Sequence, residues 1–507
     1  MQKRVILQKQ RTKKMAEMKN LARQTAVYGI SNILGKFLNW LLVPLYTYVL
    51  TSSAEYGVVT NLYAWTALLL VILTYGMETG FFRFANKEDA DAQKVFGTVL
   101  TSVAVTSTIF AILVMMFSED VAVWLGYSSH PEYVTMMGII VAIDAVGTIP
   151  FAYLRYKNKA GKFAIFKLLM IVVNILANLF FLVLCPILKN KYNVTLPFYD
   201  ENYGVGYIFV SNLISTLFVT LLLLPEIRMA KKPDAELLKK ILGYSLPLLL
   251  LGIAGIMNQT IDKIIFPYLM PDRVVAESEL GIYGACFKVA MVMMVFTQAF
   301  RYAYEPFVFA QSKGEDKKVQ YSLAMKYYVI FALLIALGMS LFMDVFALLV
   351  SPSYRVGMTI VPLVLLTYLF QGVYFNLSIW YKLTDRTYWG AILSTIGLVI
   401  TLIVNIALVP EFSYYGSAIA SFLCYLCVTI VSYIMSQKYF PIDYDNKSMA
   451  FYLLLALGLY AIFYFVAPED MIIRLLVSTV LLSVYIIVLF KRDFPASSLP
   501  VVGKFFR

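Results

Sequence analysis

The sequence predicts an all-α, polytopic membrane protein, and three observations carry that prediction. Hydrophobic residues make up 61% of the 507 and charged residues only 14%, whereas soluble chains are about a quarter charged. Apolar runs of roughly 20 residues, the helix length that crosses a ~30 Å hydrocarbon core, recur from Leu21 to Phe490 with short polar breaks. The bases concentrate in alternate breaks.

Taken in order, the first twenty residues, MQKRVILQKQRTKKMAEMKN, are basic and polar, with neither the apolar core nor the cleavage site of a signal peptide. They are expected to stay cytoplasmic, as a solvated tail or lying on an anionic leaflet through Val5, Ile6, Leu7, Met15 and Met18. Fourteen spans follow: 21–50, 57–85, 95–117, 133–156, 163–188, 204–225, 240–267, 281–310, 322–349, 355–381, 387–409, 415–436, 449–467 and 470–490. An even number puts both termini on one side. That side receives the tail bases, Lys87 and Lys94, the run Arg155, Lys157, Lys159, Lys162 and Lys167, and the clusters near 228–240, 313–326, 382–386 and 438–447. Opposite loops hold only Lys189, Lys191, Arg273, Arg355 and Arg474. The asymmetry assigns the termini to the cytoplasm and accounts for the net charge of +12 as topology, which excludes nucleic-acid binding as its reason.

The chain also resembles itself at an offset of roughly 216 to 225 residues. AEYGVVTNLY (54–63) matches SELGIYGACF (278–287), FFRFANKED (81–89) matches PFVFAQSKGED (306–316), and RYKNKAGKFA (155–164) parallels WYKLTDRTYW (380–389). A six-helix unit used twice enters the membrane in one direction each time, and such parallel repeats surround an axis along the membrane normal. The expected architecture is therefore an N-lobe at 21–225, a cytoplasmic linker at 226–239 and a C-lobe at 240–436, enclosing a central crevice. Two added helices at 437–490 and a cytoplasmic tail at 491–507 follow.

In this order, SNILGKFLNWLLVPLYTYVL, the EYG after it, YGMETGFFRFAN, PFAYLRYKNKAGKF, YSLPLLLLGIAGIMNQTIDKIIF and LGIYGACFKVAMVM resemble the polysaccharide flippases of the multidrug/oligosaccharidyl-lipid/polysaccharide exporter superfamily, over roughly residues 20 to 490. The resemblance implies a transporter, not an enzyme. It would move polyprenyl-diphosphate-linked oligosaccharide from the cytoplasmic to the outer leaflet of the bacterial inner membrane, with glycosyltransferases and a polysaccharide polymerase as pathway partners. No cofactor is expected. GISNILGK (29–36) is spaced wrongly for a phosphate loop and lies inside a span, so energy comes from a Na+ or H+ gradient, the membrane potential or the substrate itself.

Charges inside spans cost about 2.5–3.5 kcal/mol each and mark pathways. Lys36, Lys288 and Arg301 are the candidates for holding a diphosphate, which must leave water to cross. Asp144 and Asp262 are the cation-coupling candidates; Asp144 alternatively pairs with Lys36, and Asp262 and its neighbour Lys263 are about 100° apart on the helix and expected to face different neighbours. Glu78 and Arg83 are five apart and need partners elsewhere, whereas Arg301 and Glu305 are four apart. A cytoplasmic gate is expected from the pairs Glu78–Arg301 and Arg83–Glu305; the simpler alternative has Arg83 reaching the headgroups and Glu78 bonding a neighbouring helix. The single histidine, His130, lies in an outer loop and excludes a histidine metal cluster, and CYLC (424–427) lies in a span, where it reads as packing. Rival functions are a cation-coupled drug or metabolite antiporter, a membrane polymerase or ligase, for which the outer loops are short, and a scramblase without sugar specificity.

Overall fold

The computed structural model describes residues 29–194, 196–310 and 316–493, without the side chains of 303, 305–310 and 316. The expected basic N-terminal segment, the start of the first span and the end of the C-terminal tail lie outside the described residues. Every regular element among the described residues is helical. Twelve helices among them are long and apolar enough to cross a membrane; a further pair, bent by 42° at Ala290, makes a thirteenth if it is counted as one span. Each of the last thirteen expected spans coincides with one of these, and two helices at 29–40 and Leu42–Val49 fill the described part of 21–50. Large apolar side chains such as Leu250, Ile403, Leu454 and Val480 point outward, as a hydrocarbon solvent allows. Helix starts are set locally. Ser52, Asp91, Asp234, Asp445 and Asp470 each accept backbone N–H bonds as N-caps.

Contacts divide the chain into two units, Met1–Gly284 with Thr401–Tyr414, and Ala285–Ile400 with Tyr415–Arg507. In the first unit, α1 (29–40) and α2 (Leu42–Val49) lead to α3 (Ser53–Thr74), α4 (Met77–Ala85), α5 (Ala92–Met116), α6 (Ser118–Leu125) and α7 (Pro131–Tyr156). Next come α8 (Ala160–Leu179), a π-helical turn at Phe180–Leu184, α9 (Cys185–Tyr192), α10 (Val205–Ile227), α11 (Ala235–Leu269) and the start of α12 (Arg273–Val289). Phe81, Phe96 and Tyr153 are buried at the centre of a core cluster, with Phe96 and Tyr153 stacked at 4.3 Å. The connection from α10 to α11 is tied to the start of α5 by two crossed ion pairs, Lys231–Asp91 at 2.7 Å and Lys94–Asp234 at 2.5 Å. It approaches so closely that a Cβ on Gly97 would clash with the Lys231 carbonyl.

The internal repeat has a structural counterpart. Gly57 on α3 abuts the Glu277 carbonyl on α12, and Gly281 on α12 abuts the Ser53 carbonyl on α3. Gly57 and Gly281 are 224 residues apart, as are Ser53 and Glu277, so the crossing is reciprocal, as a two-fold contact between equivalent helices should be. Only glycine permits this approach. Ser53 and Ser278 share a hydrogen bond of 2.5 Å beside it.

The second unit holds the end of α12, α13 (Met291–Ala310), α14 (Asp316–Leu341), α15 (Met343–Ala347), a 3-10 segment at Pro352–Ile360, α16 (Val361–Leu377) and α17 (Ile379–Leu383). It continues with the first part of α18 (Tyr388–Phe412), then α19 (Tyr414–Tyr439), α20 (Asn446–Val466) and α21 (Met471–Arg492). The basic turn 380–389 repeats that at 155–164 in detail. Asn158 and Asp385 both have a left-handed φ of 56°, and the next residue's N–H donates back five residues, Lys159 to Leu154 and Arg386 to Tyr381, each at 2.9 Å. Both turns thus show the long-range bond of a Schellman cap. Here the offset is 227, two residues longer than the direct alignment of the quoted stretches.

The two helices outside the expected repeat, α20 and α21, dock on α14. Lys326 bridges Asp445 at 2.9 Å and Asp493 at 2.5 Å, and the Tyr485 hydroxyl donates to the Ile330 carbonyl at 2.9 Å. The Lys326 ammonium holds the Asp445 carboxyl down to about 2. Because the folded value lies below the ordinary one of about 3.9, the stabilisation is fully present above that value and is lost as pH falls toward 2. Asp445→Asn is therefore expected to lower the melting temperature in detergent by about 1–3 °C, equally at pH 5.5 and pH 8. A clearly smaller decrement at pH 5.5 would show that Asp445 is not fully ionised there.

Candidate functional site

On α7 the residues Asp144, Gly147, Thr148, Phe151 and Arg155 recur at helical spacing along one face. That face meets Phe163, Lys167 and Met170 of α8 and Thr216, Val219, Thr220 and Leu223 of α10. Together they line a cleft of about 320 Å³ in the first unit, completed by Asn32 of α1, Leu70 of α3, Glu78 of α4 and Ile143 of α7. Two acids and two bases therefore face one cleft within spanning helices.

Glu78 owes its place to a break. Tyr75 and Gly76 both have left-handed φ, 30° and 72°, which ends α3 and lets α4 begin at Met77. Glu78 thus sits in the first turn of a new helix, where the macrodipole favours an acid, and Arg83 lies in its last turn, where a base is favoured. A Cβ at Gly76 would crowd the Ser245 carbonyl of α11, so glycine suits both the turn and the packing. Glu78 forms an ion pair with Arg155, whose guanidinium also lies 5.1 Å from the Phe82 ring centre. Arg83 stacks over Tyr244 at 4.0 Å. Asp144 accepts a hydrogen bond from the Thr216 hydroxyl at 3.3 Å and is within electrostatic reach of Lys167. The Lys167 ammonium rests 4.1 Å from the centre of the Phe151 ring. At the Arg155 end of the same helices, Lys162 pairs at 2.5 Å with Glu226, which is 1% exposed.

The sequence candidates fall in both units. Lys36 lies half-buried on α1 in the first. Lys288 lies in the second, two residues before the break at Ala290. Arg301, also in the second, stacks over Phe375 at 5.3 Å and lines a small pocket of about 20 Å³ with Lys382. The Glu305 side chain lies outside the described residues. The partner that the structure gives Glu78 is Arg155, in its own unit. Asp262 and Lys263 correct an expectation. They pair with each other at 2.8 Å, and Asp262 also accepts from the Tyr283 hydroxyl at 2.7 Å. Their Cα–Cβ directions diverge by about 100°, but the four-carbon lysine stem curls back across that angle. His130 stacks on Tyr133 at 4.6 Å and bonds Glu132 at 2.9 Å. Among the described residues no group of His, Cys, Asp and Glu could hold a metal ion.

Sequence reasoning missed Arg155 and Lys167, which it counted with the loop bases. The signal was present. Both lie inside apolar runs, and Lys167 is seven residues past the start of α8, about two turns into the helix.

Residues 21–303 match the sequence profile of the family described as "Polysaccharide biosynthesis protein". The chain belongs to this family. The match includes the whole cleft of the first unit. No curated protein matches the sequence significantly. Solved structures show what fold this family member adopts. The lipid II flippase MurJ in an inward closed conformation matches with a TM-score of 0.70 at 14% identity, over 92% of this chain and 99% of that one. An inward-facing multidrug resistance transporter of the MATE family matches with 0.65 at 13% identity, over 80% and 94%. A transporter of the same superfamily from Pyrococcus furiosus, described as having a binding pocket of reverse polarity, matches with 0.53 at 13% identity, over 82% and 95%. The polysaccharide biosynthesis family member is thus a multi-span membrane protein with the fold shared by these flippases and transporters.

Proposed function

We propose that the protein is a flippase that moves polyprenyl-diphosphate-linked oligosaccharide from the cytoplasmic to the outer leaflet of the bacterial inner membrane, by alternating access, for cell-surface polysaccharide biosynthesis. The observation that carries the reading is the presence of bases within the apolar runs of a polysaccharide biosynthesis family member, Lys36 on α1, inside the first expected span, foremost. An anionic head group must give up its hydration to cross, and cations in a wet crevice replace it. Lys36, Lys288 and Arg301 take the diphosphate. Glu78 with Arg301, and Arg83 with Glu305, close the cytoplasmic face. Asp144 is the acid through which Na+ or H+ couples; Asp262, already holding Lys263 and Tyr283, is the weaker site. Both termini lie in the cytoplasm, and the partners are the glycosyltransferases and polymerase that make and consume the lipid-linked sugar. One observation favours a cation-coupled antiporter as the second reading: Asp144 and Thr216 place a carboxylate and a hydroxyl together in the cleft.

The test is leaflet-resolved movement of a fluorescent polyprenyl-diphosphate oligosaccharide in proteoliposomes. The unaltered protein is expected to move the lipid and Lys36→Ala to slow it at least about tenfold, the loss of one charge-assisted contact. Drug-driven sodium or proton exchange without lipid movement would replace the flippase reading with the antiporter.

A further inference from the structure

Among the described residues of the first unit, Lys167 is a charged group whose place packing does not explain. It lies within α8, flanked on its face by Phe163 and Met170, and its side chain lines the cleft. An ammonium within a span is ordinarily offset by a contacting acid. Here it rests on the Phe151 ring, while Asp144, the acid within its electrostatic reach, is bonded to Thr216. Arg155, on the same α7 face as Phe151, brings a second cation to the cleft wall. Its acid partner, Glu78, is independently favoured by the first turn of α4. Two cations from adjoining helices therefore line one cleft, and each neighbouring acid has a second source of stabilisation that survives if its base turns away.

We propose that this cleft is a subsite for a phosphate or diphosphate group, with Lys167 supplying a point charge and Arg155 a bidentate fork. The inference deepens the flippase reading and rests on it for the lipid-linked form of the ligand. Binding turns Arg155 from Glu78 toward the phosphoryl oxygens and sets the ligand in competition with Asp144 for Lys167. Removing the Asp144 charge therefore strengthens binding, whereas in a purely structural cluster it would weaken the fold as much as removing Lys167.

The experiment measures the Kd of full-length protein in lipid nanodiscs for inorganic pyrophosphate and for polyprenyl diphosphate, with polyprenol as background. Lys167→Met is expected to raise the Kd for the phosphorylated probes at least about tenfold, Lys167→Arg to stay within about threefold, and Asp144→Asn to lower it. Lysine-dependent binding of the lipid probe alone assigns the subsite to the lipid head group. Equal dependence with pyrophosphate assigns it to phosphate in general. The subsite is overturned if neither phosphorylated probe binds above background, if Lys167→Met binds as the unaltered protein does, or if Asp144→Asn weakens binding as much as Lys167→Met. If Lys167→Met does not fold, Asp144→Asn and Lys167→Arg still decide. The two readings separate in the leaflet assay. Normal lipid movement by folded Lys167→Met removes the subsite and leaves the flippase. Lysine-dependent pyrophosphate binding by a protein that moves no lipid keeps the subsite and removes the flippase.

Discussion

A protein carrying Ser53→Cys and Ser278→Cys is expected to lose transport on oxidation and to regain it on reduction. The two hydroxyl oxygens are 2.5 Å apart, close to the ~2.05 Å of a disulfide, so the cross-link can form with little backbone movement. They flank the crossing at which Gly57 and Gly281 pack reciprocally on the carbonyls of Glu277 and Ser53. Helices that close together make dispersion and Cα–H···O contacts, and at both glycines the nearest atoms across the crossing are backbone atoms rather than side chains. The contact is tight and can separate cleanly. Under the flippase reading this end of the spans faces outward, and the outward-open state must part it. Single-cysteine variants serve as controls for the native Cys185, Cys286, Cys424 and Cys427, all free thiols in helices. Undiminished transport by fully cross-linked protein would show that the crossing stays closed throughout the cycle.

Reversal of the charge at Glu78 is expected to destabilise the protein and slow transport, and Arg155→Glu in the same chain to restore most of the lost melting temperature but only part of the transport, because the swap also takes the guanidinium off α7. Glu78→Arg leaves two guanidinium groups facing each other within a span. Breaking a buried pair costs about 3–5 kcal/mol, and partial exposure of both side chains reduces this to about 1–2 kcal/mol. That range corresponds to roughly a five- to thirty-fold effect on any equilibrium the pair controls. The double reversal re-forms the ion pair, although Arg on the first turn of α4 opposes the helix dipole, so recovery stays incomplete. The corresponding test of the proposed gate combines Glu78→Arg with Arg301→Glu. Rescue by Arg301→Glu but not by Arg155→Glu would mean that the Arg155 pairing has no part in transport.

Much of the fold was legible because lipid makes the code simple. Hydrocarbon requires every backbone polar group to be satisfied within its own helix, so run length alone locates the spans, and all the expected spans after the first have helical counterparts. The repeat was legible in AEYG and SELG because a close crossing tolerates only glycine at Gly57 and Gly281. The candidate site was less so. Asp144, Glu78 and Arg83 stood out as charges in apolar runs, and their need for partners was evident. Arg155 and Lys167 also lie in apolar runs, but close to a cytoplasmic span end, where a base has two explanations, topology and function, and counting loops absorbs both alike.

The sequence by itself determined the membrane class, the span positions, the helix caps at Ser52, Asp91 and Asp234, and family membership. These depend on local composition and near neighbours in the chain. Tertiary structure decided which charges meet. Glu78 joins Arg155 across 77 residues, Asp144 joins Thr216 across 72, and Lys167 finds the ring of Phe151. Those partners are set by how α4, α7, α8 and α10 rotate about their axes when they pack. Helical periodicity groups residues into faces, but only the packed bundle selects which face meets which. The pairing of Asp262 with Lys263 shows the same limit at the shortest range. Backbone directions placed them apart, and a flexible side chain in a low-dielectric setting brought them together.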